Sequence, residues 1–252
     1  MAVKRTALGK RKRSDRTPVA MPSAKLQAQV KRLMRMRQEK KYAEIAVTGL
    51  IGQVVANTTG TLVSAITPSI DQGDGEGQRI GNSITATGLV VKQQFIKQEF
   101  AIGPRRVRTH IVRVLDPSLS TADLLPAVLD VNPLSGVRDY FSALNYTMMS
   151  DKRIQLLGSK ETKLMSNYTD TNQATYERAT AELTVPVKFD DQTIRYQTDE
   201  GSLPAAIRYF MITTCDVGNH SADTNSTLDV FVKPFDTGVE SKAYARLWYT
   251  DS

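Results

Sequence analysis

Cysteine and histidine are nearly missing from this sequence. Cys215 is the one cysteine and His110 and His220 are the two histidines. A single cysteine excludes an intrachain disulfide and any Cys-based zinc site built from one chain. Two histidines are too few for a cupin-type metal centre, which wants several. Long apolar runs are missing as well. The longest mostly apolar stretch, IAVTGLIGQVVA at 45–56, is too short to span a bilayer and is broken by Gly49 and Gly52. The start, MAVKRTALGKRKR, has charge without an apolar core behind it, unlike a secretion signal. These absences predict a soluble chain made in a reducing compartment, with no membrane insertion, no cofactor and no metal. The five Asn-x-Ser/Thr sequons are read as by-products of high Ser/Thr content.

Phosphate-binding and calcium-binding patterns are also lacking. The stretch QGDGEGQRIGNSI (72–84) is glycine-rich, but no Lys-Ser/Thr follows as a Walker loop requires. Gly75, Gly77 and Gly81 miss the dinucleotide spacing by one, and the residues after them read as a strand, so no helix N-terminus waits for a phosphate. Asp71, Asp74 and Glu76 have the wrong spacing for a calcium loop. The stretch therefore reads as a flexible turn, with Arg79 and Ile80 opening a long strand. Catalytic candidates are equally thin. His110 lies in a strand pattern, VRTHIVRV, and reads as packed or paired. Cys215 ends an apolar strand, and a lone cysteine is usually a small core residue. Asp190 and Asp191 sit in DDQT, where Asp suits a hairpin turn. No enzyme activity is expected.

What is present is charge of one sign in one place. The formal net charge is +7, but residues 1–43 hold fourteen Lys and Arg against Asp15 and Glu39, a balance of +12. The remainder holds nineteen against twenty-four acids, a balance of −5. A basic arm on a mildly acidic body is the pattern of a polyanion binder. The candidate contacts are Lys4, Arg5, Lys10, Arg11, Lys12, Arg13, Arg16, Lys25, Lys31, Arg32, Arg35, Arg37, Lys40 and Lys41. Such a run neutralises phosphates and releases counterions without reading sequence. Lys10, Arg11, Lys12 and Arg13 also read as a nuclear import signal, GKRKR, with the host import machinery as partner. No aromatic residue precedes Tyr42, so the arm works by charge rather than stacking. Residues 1–22 are too polar to bury a core and are expected to be disordered. Residues 23–43 carry helical spacing at Leu26, Val30 and Leu33 after a candidate cap, Ser23, either as a basic amphipathic helix or as a solvated helical linker.

From residue 44 the pattern becomes β. Strands are predicted near 44–56, 61–67, 79–100, 105–115, 153–158, 176–189, 192–198, 204–215, 227–234 and 239–250. In YERATAELTVPVKF (176–189), Ala181, Leu183, Val185, Val187 and Phe189 alternate with polar residues, a strand with one wet face. Pro186 falls on that wet face and places the strand at an edge or a bulge. Helical signal is confined to the 117–150 connection. Ser120 and Asp123 have capping-box spacing, and Ser135 could cap a second helix carrying Val137, Tyr140, Phe141 and Leu144. Many strands, long loops and no βα alternation give an all-β sandwich of the jelly-roll type, at 44–252, behind an arm at 1–43. Leu124, Leu125, Val128, Leu129, Tyr140 and Phe141 give the connection more apolar surface than a solvent loop needs, so part of it is expected to meet neighbouring subunits.

The ordered set RIGNSI, RVRTHIVRVLD, MSDKRIQLLGSK, VPVKFDDQTIRY, AAIRYFMITTC and KAYARLWYTD resembles the capsid proteins of small circular single-stranded DNA viruses that encode a replication initiator, the circovirus-like group. The resemblance implies one jelly roll of eight strands in two four-stranded sheets. It implies self-assembly into a small icosahedral shell, T=1 with sixty copies, with the arm facing inward on a single-stranded DNA genome. Virion and host nucleus would be its places. Sixty arms bring about 720 positive charges to a genome with on the order of a thousand or more phosphates. Two other readings stand beside it: the capsid protein of a small or satellite single-stranded RNA virus, and a cellular jelly-roll binding module with a basic tail. The receptor, if any, is not indicated.

Overall fold

In a computed structural model, residues 26, 27, 29, 30, 39–51, 61–97, 105–134, 136, 138–164, 180–197, 201–216 and 239–251 are described. The chain divides into two units, Met1–Gln38 and Glu39–Ser252. In the first, Leu26, Gln27, Gln29 and Val30 are helical and exposed. The predicted helix does not reach residue 43. Lys41 and Ala43 face inward while Tyr42 and Glu44 face out, and this period-two pattern belongs to a strand.

The second unit has eight strands: β1 (Lys41–Ile51), β2 (Thr61–Ala65), β3 (Ser83–Lys97), β4 (Arg105–Val114), β5 (Ile154–Leu164), β6 (Thr180–Arg195), β7 (Arg208–Cys215) and β8 (Val239–Asp251). They form two four-stranded sheets, in the orders β1-β8-β3-β6 and β2-β7-β4-β5. The pairing is nested: β1 with β8, β2 with β7, β3 with β6 and β4 with β5, all antiparallel. A long hairpin wrapped into two sheets gives this order, and it is a jelly roll.

Alternation decides which side chains fill the sandwich. Val239, Ser241, Ala243, Ala245, Leu247 and Tyr249 of β8 point inward, where they meet Leu89, Val91 and Phe95 of β3 and Tyr209 and Met211 of β7. One polar cluster crosses this core. Gln93 Nε2 donates to Thr213 Oγ1 at 3.0 Å and to Ser241 Oγ at 3.1 Å, and Thr109 Oγ1 donates to Gln93 Oε1 at 2.6 Å. Two of these residues come from each sheet, so sliding either sheet would strand a buried amide and cost about 1–3 kcal/mol.

β7 is buried at all but its first residue, because its second face is covered too. The cover is the connection between β4 and β5. It contains α1 (Thr121–Val128) and α2 (Tyr146–Asp151). The Ser120 hydroxyl accepts from the Asp123 N–H, the first bond of the expected capping box, but the Asp123 carboxylate takes the Ser120 hydroxyl at 2.6 Å in place of the backbone N–H. Val112, Val114, Phe210 and Ile212 of the sheet pack with Leu124, Val128, Leu129 and Met149 in a second core.

Three sequence expectations are corrected. The helix predicted from Ser135 is absent over 138–145. Asp139 instead accepts from Asn132 Nδ2 and from the Phe141 N–H, and Leu129 bridges Leu144 in a short antiparallel pair. Asx turns of this kind compete with helix for the same backbone groups. The second helix starts later, where Asn145 caps it by accepting from the Met148 N–H. Asp190 and Asp191 do not turn the chain either. β6 runs on to Arg195 because Ile194 is also buried, and the irregularity is absorbed by a bulge opposite Ala86–Gly88, with Asp191 at φ +48°. Ile80 is exposed and β3 starts only at Ser83. Pro186 is exposed on β6, an edge strand, as its missing N–H requires. The predicted strand at 227–234 lies outside the described residues.

Candidate nucleic-acid and subunit interfaces

Of the fourteen basic residues assigned to the arm, Lys40 and Lys41 are among the described ones. Lys4, Arg5, Lys10, Arg11, Lys12, Arg13, Arg16, Lys25, Lys31, Arg32, Arg35 and Arg37 lie outside them, and so does the whole import-like run. Lys40 is exposed. Lys41 is corrected: it is only 7% exposed, and its ammonium sits 2.9 Å from Asp251 and donates to the Gln78 carbonyl at 2.9 Å. A buried, paired ammonium belongs to the body's framework and not to a phosphate contact.

The glycine-rich stretch closes the same corner. Gly73, Gln78 and Arg79 spend their backbone N–H groups on Arg79, Gly75 and Asp71 carbonyls, Gly75 donates to the Gln78 side chain, and Ile80 donates to Asp251. A phosphate cradle needs those N–H groups open. Gly77 at φ +76° and Gly81 at φ +82° supply the left-handed conformations that the turn demands. Arg79 is the centre of the fold here, not an external contact. It is completely buried, lies 4.2 Å above the Tyr196 ring, and donates to the carbonyls of Gly81 and Gly201. The stretch is a clamp between the two ends of the strand set, and the reading as a flexible turn is corrected.

The subunit-contact candidates separate into two groups. Leu124, Val128, Leu129 and Tyr140 are buried in their own subunit, and Leu125 packs partly against the same core. The second core explains the apolar character of Leu124, Val128 and Leu129, and Tyr140 is buried with Arg108 over its ring, so these four are corrected as contact residues, whereas Leu125 keeps a partly exposed side chain. Phe141 remains, 69% exposed, with Leu134 at 95% and Val131 and Tyr146 exposed beside it in the same connection. The connection is held firmly at its root. Arg208 Nη2 donates to the carbonyls of Asp116, Pro117 and Leu119 at 2.9, 3.0 and 2.8 Å. Arg108 lies 4.5 Å above the Tyr140 ring, donates to its carbonyl and pairs with Glu161 at 3.2 Å. Neither arginine was singled out in the sequence, because a basic residue in a strand pattern signals only a wet face.

The chain is similar to viral capsid proteins. The decameric BFDV capsid protein is 7% identical, with 84% of this chain and 98% of that chain covered at a TM-score of 0.34. The 60-mer BFDV capsid protein is 8% identical, covering 84% and 92% at 0.32. The structure of infectious bursal disease virus Gt strain is 10% identical, covering 85% and 38% at 0.22. No protein-family model and no curated protein matches the sequence. The superpositions are loose, and it is the strand order of this chain that carries the jelly roll.

The titratable groups that could serve catalysis are kept apart. Cys215 is buried between the sheets, whereas His110 pairs with Ile212 and points to the opposite face of the same sheet, under the connection. Cys215 and His110 therefore do not form a dyad. Burial, and then the charge of Arg108, press the His110 pKa down to about 4, so the ring is neutral at neutral pH. Its Nδ1 has no hydrogen-bond partner among the described residues. His220 lies outside those residues. Among the described residues no three His, Cys, Asp or Glu side chains converge as metal ligands.

Proposed function

We propose that this chain is a viral capsid protein: its jelly roll builds a small icosahedral shell, of sixty copies at T=1, and its basic arm packages a single-stranded DNA genome. The observation that carries the reading is the joining of two unlike parts in one chain. A complete nested jelly roll begins at Lys41, and the +12 arm falls almost wholly before it. A shell protein needs both, since the wall must be uncharged enough to close and the genome must be neutralised. Exposed Leu134, Phe141 and Tyr146 on an anchored connection fit a wall contact, because apolar surface of that kind is normally covered. GKRKR would take the protein to the nucleus of a eukaryotic host for assembly there, and no catalysis is part of the role.

Electron microscopy and mass measurement of the purified chain test the reading. Closed particles of megadalton mass, with nucleic acid that DNase removes after disruption, are the expected result. A homogeneous species near the chain mass of 27.9 kDa would instead establish a binding module. Nuclease sensitivity to RNase alone would move the assignment to an RNA virus.

A further inference from the structure

Among the described residues neither helix packs on the outer face of the β1-β8-β3-β6 sheet, and the side chains of that face are not those of an inert wet surface. The registers place rows across the strands. Tyr42 stands opposite Trp248, and Trp248 opposite Gly88; Glu44 stands opposite Arg246, and Arg246 opposite Val90; Ala46 stands opposite Tyr244, and Tyr244 opposite Lys92. Three aromatic rings thus gather around one guanidinium. The Tyr42 and Trp248 rings are 5.3 Å apart, and Arg246 lies 4.6, 5.5 and 5.4 Å from the Tyr42, Tyr244 and Trp248 centroids. Glu44 at 2.6 Å and the Tyr244 hydroxyl at 2.9 Å hold Arg246 in place.

Cross-strand stabilisation alone asks for less than this. Aromatic rings are normally buried or covered, yet Tyr42 is 37% exposed and Tyr244 and Trp248 stay partly exposed. Two of their row neighbours, Gly88 and Ala46, have too little side chain to shield a ring. The face also bears Lys92, Lys188 and Lys242, the first two without an ion pair among the described residues. Open rings, a fixed arginine and nearby ammonium groups are the components of a sequence-tolerant single-strand site, where bases stack and phosphates meet cations.

We propose that this face, centred on Tyr42, Tyr244, Arg246 and Trp248, is a stacking platform for the unpaired bases of a single-stranded polynucleotide. The proposal rests on the packaging reading above and adds a ligand chemistry that the arm lacks: the arm binds charge, whereas this face distinguishes open bases from a duplex whose bases are already stacked.

Trp248 is the one tryptophan in the chain, so its emission reports on the site directly. The full chain is titrated with an oligothymidylate of about twenty nucleotides, with the duplex of the same length, and with heparin, a polyanion without bases. Saturable quenching by the single strand, weak quenching by the duplex and none by heparin are expected. Measured by anisotropy of a fluorescently labelled strand, Trp248→Ala and the double change Tyr42→Ala with Tyr244→Ala should each weaken single-strand binding by about tenfold, while Trp248→Phe should keep it, since a ring remains. Single strand bound with Trp248 emission unchanged would overturn the platform and leave the packaging arm standing. Equal quenching by heparin would also overturn it, since assembly or polyanion contact would then explain the signal. No binding of any nucleic acid at low salt would sink both readings together.

Discussion

Mild acid should weaken this protein through His110. The ring is buried beside Arg108, and its pKa is pushed from 6.5 down to about 4. Above the unfolded value of 6.5 neither state carries the proton, and stability is complete. Between there and about 4 the unfolded chain binds a proton that the folded chain refuses, so stability falls as pH falls. Below about 4 both states are protonated and the loss levels off. One pH unit inside the window costs at most ~1.4 kcal/mol, which gives ~1.4 kcal/mol lost at one unit below the unfolded pKa and ~2.6 kcal/mol at two units below. Other groups act mainly at the acid end. Asp116, Glu44 and Glu161 are held below their ordinary values by hydrogen bonds from Ser118, Tyr244 and Tyr140 in turn, so their contributions are lost as pH falls below those ordinary values, at the acid end of the His110 window and beneath it. Asp216 is raised by burial, which opposes the trend as pH approaches 3.8. Urea unfolding followed by Trp248 emission is the assay, with His110→Gln as reference so that these groups cancel. With a denaturant slope of about 2 kcal/mol per molar, the wild-type midpoint should drop by about 0.7 M more than the variant's at one unit below the unfolded pKa. Parallel pH curves for the two proteins would refute the reasoning and would mean that the folded ring is charged or reached by water.

Leu183 points into the core of β6 and Glu182 out of it, so Leu183→Ala should cost about 2–5 kcal/mol in the same unfolding assay. Glu182→Ala should stay within about 0.5 kcal/mol, and equal losses would mean a wrong register. Lys41→Ala removes a buried ammonium that pairs with Asp251 and donates to the Gln78 carbonyl, and should cost about 1–3 kcal/mol, while particles formed by the variant keep an unchanged ratio of nucleic acid to protein. A loss of packaged nucleic acid without a loss of stability would return Lys41 to the arm. Leu134→Asp and Phe141→Asp change exposed residues and should leave the unfolding midpoint within about 0.5 kcal/mol of the parent. At least one of them should stop particle closure in sedimentation, and intact particles from both would move the wall contact elsewhere. Replacing Lys10, Arg11, Lys12 and Arg13 with Ala should leave a fluorescent fusion in the cytoplasm, and unchanged nuclear accumulation would remove the import claim.

The candidate interfaces were legible to very different degrees. The arm could be found by counting charges, because its chemistry depends on density and not on geometry. The wall contact could not. Leu124 and Phe141 are both apolar residues of one connection, yet the first fills a core and the second faces solvent. Nothing local separates them, since a connection packed on a sheet mixes its own core and its outer surface within a few residues. Arg79 shows the converse failure. Its place in the sequence reads as the opening of a strand after a flexible turn, but a ring from Tyr196 and carbonyls from Gly81 and Gly201 receive it inside the protein. The Tyr42–Trp248 cluster was half visible: period two puts Tyr244, Arg246 and Trp248 on one face of KAYARLWY. Tyr42 and Glu44 join them only through the pairing of β1 with β8, some two hundred residues away in sequence.

Local periodicity and composition by themselves determined the class of this protein. Alternating side chains make strands, and many strands without βα alternation make a sandwich. Long-range closure decided the rest. Whether DDQT turned or continued and whether Lys41 served the arm or the body depended on partners from distant strands. Burial is a property of two surfaces meeting, and the second surface is not written beside the first in the chain. A strand can therefore announce that one face is apolar without saying which sheet, which register or which uncovered face the finished jelly roll will present.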